Sequence, residues 1–287
     1  MPVPSPDKLG RVASGRASGI KTTATPNMRN QSQSNVLIPD RSRPGLPTTA
    51  SGTVDQQGAS GNWATVESRR RRRRGGRQVQ NRREKRKSKL VDVKFATLNV
   101  GTMTGRGREL ADMMERRRVD VLCVQETKWK GSKAKSIGGG FKLFYHGLDS
   151  RRNGVGVIVK ESYIKSVLEV KRISDRVISV KMELDGVIMN VISAYAPQAG
   201  CEMEEKEAFW EEIDELMESI PRSERVVIGA DFNGHVGSGN VGDERVMGTH
   251  GFGERNAEGQ MIVDFASRME MAVLNTYFDK REEHRVT

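Results

Sequence analysis

The stretch that decides the fold is residues 226–235, with the sequence VVIGADFNGH. Apolar, mostly β-branched residues fill its first half, and Asp231 and Asn233 follow directly. Such a run is typical of a buried strand, and alternate residues of an extended chain point to the same face. We therefore expect Asp231 and Asn233 to lie together at the end of a strand, as in phosphoester-cleaving sites. Taken alone, the pair is more typical of a polar turn.

Polar residues also follow two other predicted strands. Residues 93–98 are mainly apolar and end at Asn99, whereas the apolar run at 119–124 ends just before Glu126. A helical pattern at 110–117 lies between them, which predicts a strand-helix-strand unit. Because the carboxyl ends of neighbouring strands can share one rim of a sheet, we expect these side chains to meet the Asp of the first stretch.

The remaining patterns predict an α/β fold with two packed sheets. Short apolar runs at 141–146, 154–159, 177–184 and 187–194 are joined by Gly or charged turns and predict antiparallel hairpins. Residues 203–220 form an amphipathic pattern with an acidic face, which predicts a surface helix. Strand-helix units beside hairpins favour two sheets with helices outside them.

Composition divides the chain into three parts. Residues 1–68 are rich in small and polar residues and lack clustered apolar ones, so we expect them to be disordered. Residues 69–89 carry 13 Lys or Arg against one acid. Residues 90–287 carry 28 Lys or Arg against 32 Asp or Glu. They also hold the apolar runs, so we expect one folded domain there.

The sequence excludes several other classes of protein. Cys123 and Cys201 lie far apart and form no metal-binding or disulfide pattern, which favours a reducing, intracellular setting. No apolar stretch is long enough to span a bilayer, and the first ten residues lack the apolar core of a secretory signal. We expect a soluble, monomeric protein with no membrane partner.

The basic tract at 69–89 is too dense in charge to fold and should bind polyanions by releasing counterions. Such tracts contact phosphates and not base edges, so affinity would depend steeply on salt and not on base sequence. We expect a role in nuclear import or nucleic-acid tethering; the alternative is a solubilising tail. Its core is Arg69, Arg70, Arg71, Arg72, Arg73 and Arg74.

Six short motifs occur in order through the predicted domain. They are ATLNV (96–100), QET (125–127), SDR (174–176), SAYAP (193–197), GADFN (229–233) and LNTYF (274–278). With them the chain resembles the endonuclease/exonuclease/phosphatase superfamily, and most closely its LINE-type retrotransposon endonuclease domains and craniofacial development protein 2-like members. The resemblance implies a four-layer α/β/β/α sandwich of two mostly antiparallel sheets, with Mg²⁺-dependent hydrolysis of phosphodiesters.

The chemistry of the residues agrees with that resemblance. Glu126 offers a hard oxygen ligand for Mg²⁺, with Mn²⁺ as a substitute. Asp231 could orient or deprotonate the attacking water, and Asn99 and Asn233 could donate hydrogen bonds to oxygens that gain charge. The resemblance adds Tyr195, which would contact the scissile phosphate or position the nucleophile; the alternative is a packed aromatic at a strand end.

Two further asparagines are weaker candidates for substrate contacts. Asn256 and Asn275 match positions that touch substrate in relatives, although Asn256 also precedes a predicted helix as an N-cap would.

The family pattern continues with an Asp on a further strand and a final Ser-Asp-His motif, whereas this sequence stops at Thr287. We therefore expect a C-terminally truncated domain that lacks its last strands, with impaired catalysis. The first hypothesis is a retrotransposon-derived, Mg²⁺-dependent nuclease that nicks DNA in the nucleus. The alternative is a non-catalytic nucleic-acid-binding vestige of such a nuclease.

Overall fold

The structure is a computed structural model that describes residues 34–39, 48–51, 62–68 and 93–279, with side chains at 36–38 and 93–279. Its strands are β1 (Ser34–Pro39), β2 (Thr48–Ser51), β3 (Asn62–Ser68), β4 (Val93–Asn99), β5 (Val121–Gln125), β6 (Gly131–Gly138), β7 (Phe141–Gly147), β8 (Val155–Lys160), β9 (Val167–Ser174), β10 (Val177–Leu184), β11 (Val187–Tyr195), β12 (Arg225–Asp231) and β13 (Met271–Val273). Its α-helices are α1 (Gly107–Arg117), α2 (Met203–Glu218) and α3 (Ala257–Arg268). Short 3₁₀ helices span Glu161–Ser166 and Leu274–Tyr277.

The strands form two sheets in the described part of the chain. The first sheet has the order β13-β1-β12-β11-β10-β9, and the second has the order β2-β3-β4-β5-β8-β7-β6. Only β4 with β5 and β11 with β12 pair in parallel among the described strands. Those two parallel pairs are the ones connected through α1 and α2, because a parallel connection needs a crossover. The sheets are therefore mostly antiparallel, as predicted.

Three apolar clusters define four layers. Leu110 and Met114 of α1 pack with Leu122 on the outer face of the second sheet. A second cluster lies between the sheets, and a third joins α2 and α3 to the outer face of the first sheet. The α/β/β/α sandwich is confirmed, and none of the helices in residues 93–279 is long and apolar enough to cross a membrane.

Alternation along the central strands fixes which face each side chain occupies. In β12, Val227 packs between the sheets while Ile228 packs under the helices. In β5, Cys123 packs between the sheets while Leu122 faces α1. This two-residue period buries apolar side chains on both faces of the central strands.

The expectation of disorder does not hold for three segments before residue 69. Residues 34–39, 48–51 and 62–68 form strands, and β1 lies antiparallel between β12 and β13. Val36 and Leu37 are almost fully buried, on opposite faces of the sheet. At β1 the prediction was wrong because an average over 68 residues hides one short apolar run at 36–38. The rest of 1–68 lies outside the described residues.

The edges of the sheets differ from the prediction. Apolar patterning predicts no strand at β6 or at β9, and both lie at sheet edges. Most of their side chains are at least partly exposed, so neither carries the apolar alternation that marks a half-buried strand. The predicted helix over 203–220 ends at Glu218.

Candidate active site

Four side chains at the ends of four strands form one hydrogen-bonded chain. Tyr195 ends β11, Asn99 ends β4, Asp231 ends β12, and Glu126 directly follows β5. The Tyr195 hydroxyl donates to Glu126 Oε1 over 3.0 Å. The Asn99 amide donates to the same oxygen over 2.9 Å and to Asp231 Oδ2 over 2.8 Å. The two carboxylates are therefore separated by a single amide group, on a rim that the two sheets share.

Asn99 holds this arrangement together. A side-chain amide nitrogen has two protons, and the two carboxylates use both of them. Its Oδ1 accepts from the Gly101 amide over 2.9 Å, which fixes the orientation of the group. In this arrangement both amide protons of Asn99 go to Glu126 and Asp231, and its expected role as a donor to substrate oxygens stays a prediction.

Glu126 occupies a strained backbone conformation. Its φ is 55°, in the left-handed region that few non-glycine residues adopt, and Lys128 and Asn153 nearby share that region. Such outliers cluster at functional sites, where surrounding contacts hold them. Here the Lys128 amide donates to Asn153 O and the Thr127 amide donates to Gly154 O, so a neighbouring loop fixes the turn that presents the carboxylate.

The Glu126 carboxylate remains ionised at neutral pH. Burial acts to raise its pKa, but hydrogen bonds from Asn99, Lys128 and Tyr195 outweigh that effect and leave the pKa below its ordinary value of 4.5. The Lys128 ammonium lies 3.0 Å from Glu126 Oε2.

Tyr195 is a buried hydrogen-bond donor. Burial, together with the charge of Glu126, raises the pKa of its phenol, so the hydroxyl stays protonated. Arg176 supports it: the guanidinium lies 5.5 Å from the centre of the ring and donates to Tyr195 O over 3.2 Å. Glu205 of α2 anchors the same guanidinium through an ion pair. The sequence predicts no such role for Arg176, since nothing in its motif shows which group it contacts.

Asp231 and Asn233 form a tight local unit. Asp231 is fully buried, and its Oδ1 accepts from the Asn233 amide over 3.1 Å. Asn233 lies past the end of β12 with φ 50°, and its side-chain amide donates to Ala196 O over 2.8 Å. The structure thus places Asn233 beside Asp231. A turn brings them together, and not the strand alternation that the sequence predicts. The hydrogen bond to Ala196 O holds that turn.

A buried polar network lies beneath the site. Gln125 is fully buried, and its side-chain amide nitrogen lies 3.1 Å from Thr97 Oγ1, Ser193 Oγ and Gly229 O. Ser193 Oγ in turn donates to Val124 O over 3.1 Å. These bonds link β5 across the sheet interface to β11 and β12. The strand ends are therefore held in register by polar groups whose roles no sequence pattern indicates.

The two weaker candidates make structural contacts. Asn256 caps α3: its Oδ1 accepts from the amides of Gly259 over 2.8 Å and His235 over 2.9 Å. Asn275 Oδ1 accepts from the Val36 amide of β1 over 3.1 Å. Neither is joined to the Glu126–Asp231 chain by these bonds, and their substrate contacts stay predictions. Residues 69–74 lie outside the described residues.

The donor set fits a hard divalent cation. Mg²⁺ takes one or two carboxylates and completes its shell with water and phosphate oxygens, and Glu126 and Asp231 supply two carboxylates. Across residues 93–279 and the described N-terminal strands, no cluster of three or more His, Cys, Asp or Glu could hold a metal. A cation bound at Glu126 would compete with Lys128, whose ammonium lies 3.0 Å from Glu126 Oε2.

Comparison with known proteins agrees with this fold. Residues 96–255 match the model of the Endonuclease/Exonuclease/phosphatase family, and the chain belongs to that family. It is 30% identical over 188 residues to craniofacial development protein 2 of Bos taurus, covering 65% of this chain and 31% of that protein. The chain thus spans about a third of the length of the curated relatives it matches.

Nucleases are among the solved structures that resemble this chain. An AP endonuclease from Archaeoglobus fulgidus is 24% identical with a TM-score of 0.38, covering 48% of this chain and 56% of that one. The endonuclease domain of TRAS1, a telomere-specific non-LTR retrotransposon, is 12% identical with a TM-score of 0.42. The match covers 62% of this chain and 70% of that one.

Proposed function

We propose that this chain is a phosphodiesterase of the retrotransposon endonuclease type that uses Mg²⁺, or Mn²⁺ in its place, to nick DNA. The observation that carries the proposal is the hydrogen-bonded chain from Tyr195 through Glu126 and Asn99 to Asp231. Two carboxylates held one amide apart at strand ends suit a reaction that needs both a cation ligand and a proton acceptor. Family membership is consistent with phosphoester hydrolysis.

The site residues have distinct roles in the proposed reaction. Asp231 is buried and held by Asn99 and by the Asn233 amide, so its carboxylate is fixed in position to orient and deprotonate a water. Asn233 gives one amide proton to Ala196 O, and its second proton can serve a phosphate oxygen. Tyr195 stays neutral and steadies the Glu126 carboxylate. The bound cation, held by Glu126, would neutralise charge that develops on the phosphate.

Nicking of supercoiled plasmid tests the proposal. We expect nicking that EDTA abolishes, and a fall of about 100- to 1,000-fold in rate in Asp231→Ala and in Glu126→Ala, as for removal of other groups that stabilise a transition state. Glu183→Ala is the matched control, because Glu183 is an exposed acid on β10. Nicking that survives EDTA, or that is unchanged in both site variants, would contradict the assignment.

We propose a three-part division of the chain into residues 1–68, the basic tract at 69–89 and the nuclease-like domain at 90–287, with strands β1 to β3 of the first part completing the two sheets of the domain. The tract would add affinity for nucleic acid and direct the protein to the nucleus. If deletion of residues 69–89 abolishes all DNA binding and no cation-dependent cleavage is found, the non-catalytic alternative is favoured.

A further inference from the structure

Positive charge in the described domain is concentrated beside the candidate site. Residues 127–152 carry seven Lys or Arg and one acid, whereas the other residues of 93–279 together carry 18 Lys or Arg and 28 acids. A polyanion would therefore be attracted to the first segment and repelled by most of the remaining surface. Five exposed cations of this segment form what we call the cationic strip: Lys130, Lys133, Lys135, Arg151 and Arg152.

Strand direction places the cationic strip at the rim that holds Glu126. β5 ends there, and because β8, β7 and β6 are successively antiparallel, the start of β8, the end of β7 and the start of β6 share that rim. Lys130 immediately precedes β6, and the two arginines lie in the loop that enters β8. Lys133 and Lys135 follow along β6 on one face, about 7 Å apart at a strand rise of about 3.3 Å per residue.

An aromatic scaffold holds the most distant of these cations near the rim. Lys135 Nζ lies 4.7 Å from the centre of the Trp129 ring, three residues after Glu126. The Trp129 ring is fixed by Tyr145, whose ring meets it edge-on at 5.3 Å, and by a 3.3 Å hydrogen bond from its indole nitrogen to Thr104. The ammonium is therefore drawn back toward the site instead of extending into solvent.

These cations have little acidic compensation within the described residues. Arg151 lies 3.6 Å from Asp149, with 89% of its side chain exposed, so that pair is weak. The other four strip residues form no salt bridge with any described acid. A surface that keeps unpaired cations together in an otherwise acidic domain suits a ligand with several phosphates.

We propose that the cationic strip binds the phosphate backbone of a polynucleotide on one side of the bond to be cut. The part of this proposal that concerns cleavage rests on the proposed function, whereas the part that concerns binding does not. It implies that the substrate is a polymer with phosphates flanking the scissile one, because a small phosphorylated molecule in the Glu126–Asp231 site would leave the strip unused. It also gives the folded domain a nucleic-acid surface separate from the tract at 69–89.

The binding test uses the full chain and a fluorescent 20-base-pair DNA duplex in EDTA, measured by anisotropy over a range of salt concentrations. It is run with the intact tract and with all 13 Lys and Arg residues of 69–89 changed to Gln, so that the tract cannot mask the strip. The double variant Lys133→Gln/Lys135→Gln removes two strip charges. Its control, Lys165→Gln/Arg222→Gln, removes two exposed charges outside the strip.

We expect the strip variant to lower the slope of log affinity against log salt by about 1 for each phosphate that the strip no longer neutralises. At 0.15 M salt this corresponds to binding weaker by roughly 5-fold per phosphate, while the control changes less than 2-fold. Equal slopes for the two variants would overturn the proposal. So would a strip variant that no longer binds phosphatidylserine vesicles but still binds the duplex normally.

Cleavage separates this proposal from the proposed function. We expect the ratio of kcat/KM for plasmid to kcat/KM for bis(p-nitrophenyl) phosphate to fall at least tenfold in the strip variant and to be unchanged in the control. If the chain cleaves neither substrate but the salt slope still falls, the proposed function fails and the binding surface stands. If both are cleaved and neither the ratio nor the slope changes, the strip proposal fails and the proposed function stands.

Discussion

At the residue scale, the site depends on how a few side chains are held, and Glu126 shows this best. Its backbone lies in the left-handed region, a conformation that costs roughly 1 to 3 kcal/mol at functional sites. Hydrogen bonds from Asn99, Tyr195 and Lys128 to the carboxylate offset part of that cost. Because several neighbours hold Glu126 in this conformation, its carboxylate keeps one position. A side chain that binds a cation needs such a fixed position.

Asn99→Ala should lower nicking by about 100- to 1,000-fold, because it removes the group that holds both carboxylates in place. The plasmid assay measures this, with circular dichroism to check the fold. Asn190→Ala is the matched control: Asn190 is also buried and donates to Glu224 over 2.8 Å, but it lies near the start of β11. An equal fall in both variants would show that Asn99 acts only through stability.

Sequence could predict that Asp231, Glu126 and Asn99 lie close together because each follows an apolar strand, whereas Tyr195 was predicted only from the family resemblance. It could not reveal that Asn99 gives both amide protons to carboxylates, since that depends on how two sheets pack. Positioning groups such as Arg176 were missed for the same reason: their partners are distant in the chain.

At the element scale, β1 is the least expected feature. It inserts between β12 and β13, pairing Ser34 with Asp231 and Leu37 with Val273. Edge strands β6 and β9 were missed because both of their faces are largely exposed. The central strands could be predicted because burial on both faces requires unbroken apolar runs.

Leu37→Ala should lower the free energy of unfolding by about 2 to 5 kcal/mol, as expected for truncation of a fully buried Leu. Urea denaturation measures the change. Val241→Ala is the control, because that side chain is 94% exposed and should shift stability by less than about 0.5 kcal/mol. Identical midpoints for Leu37→Ala and the parent chain would mean that this segment does not occupy the sheet.

Helices α2 and α3 are joined by an ion pair between Lys206 and Glu258, 3.0 Å apart and mostly buried. Burial acts to raise the pKa of Glu258, but hydrogen bonds, first that from Lys206, leave the pKa below its ordinary value of 4.5. Because the folded state then binds protons less readily than the unfolded state, this carboxylate stabilises the fold above about pH 4.5 and loses that effect as pH falls further.

Glu258→Gln should therefore lower the free energy of unfolding by about 2 kcal/mol at pH 7, which is in the range of a hydrogen bond to a charged group. The difference in unfolding free energy between this variant and the parent chain should become smaller as pH falls below about 4.5. Urea unfolding at pH 7, 5 and 3.5 gives the comparison. A difference that stays constant with pH would show that the charge of Glu258 does not contribute.

At the scale of the whole molecule, the close approach of the two sheets is what joins the halves of the site. A Cβ on Gly229 would lie 2.8 Å from Cys123 Cβ and 3.1 Å from Thr97 Cβ. Only glycine lets β12 approach the second sheet this closely. Burial also raises the pKa of the Cys123 thiol to about 12, so the thiol is neutral and packs as an apolar group.

Gly229→Ala should destabilise the fold by about 1 to 3 kcal/mol, the usual cost of overpacking a core, and should lower nicking because the carboxylates separate. Thermal unfolding and the plasmid assay measure the two effects. Gly200→Ala adds the same methyl group where nothing lies within 4 Å. If both variants behave alike, the distance between the sheets is not what sets the geometry of the site.

The most direct measurement of the central claim is an anomalous difference map from crystals of the full chain soaked in Mn²⁺. We predict a peak in contact with the Glu126 carboxylate, at the rim where Asn99 and Asp231 meet it. Carboxylates at 126 and 231 on opposite faces of the molecule, or a peak remote from both, would contradict the account.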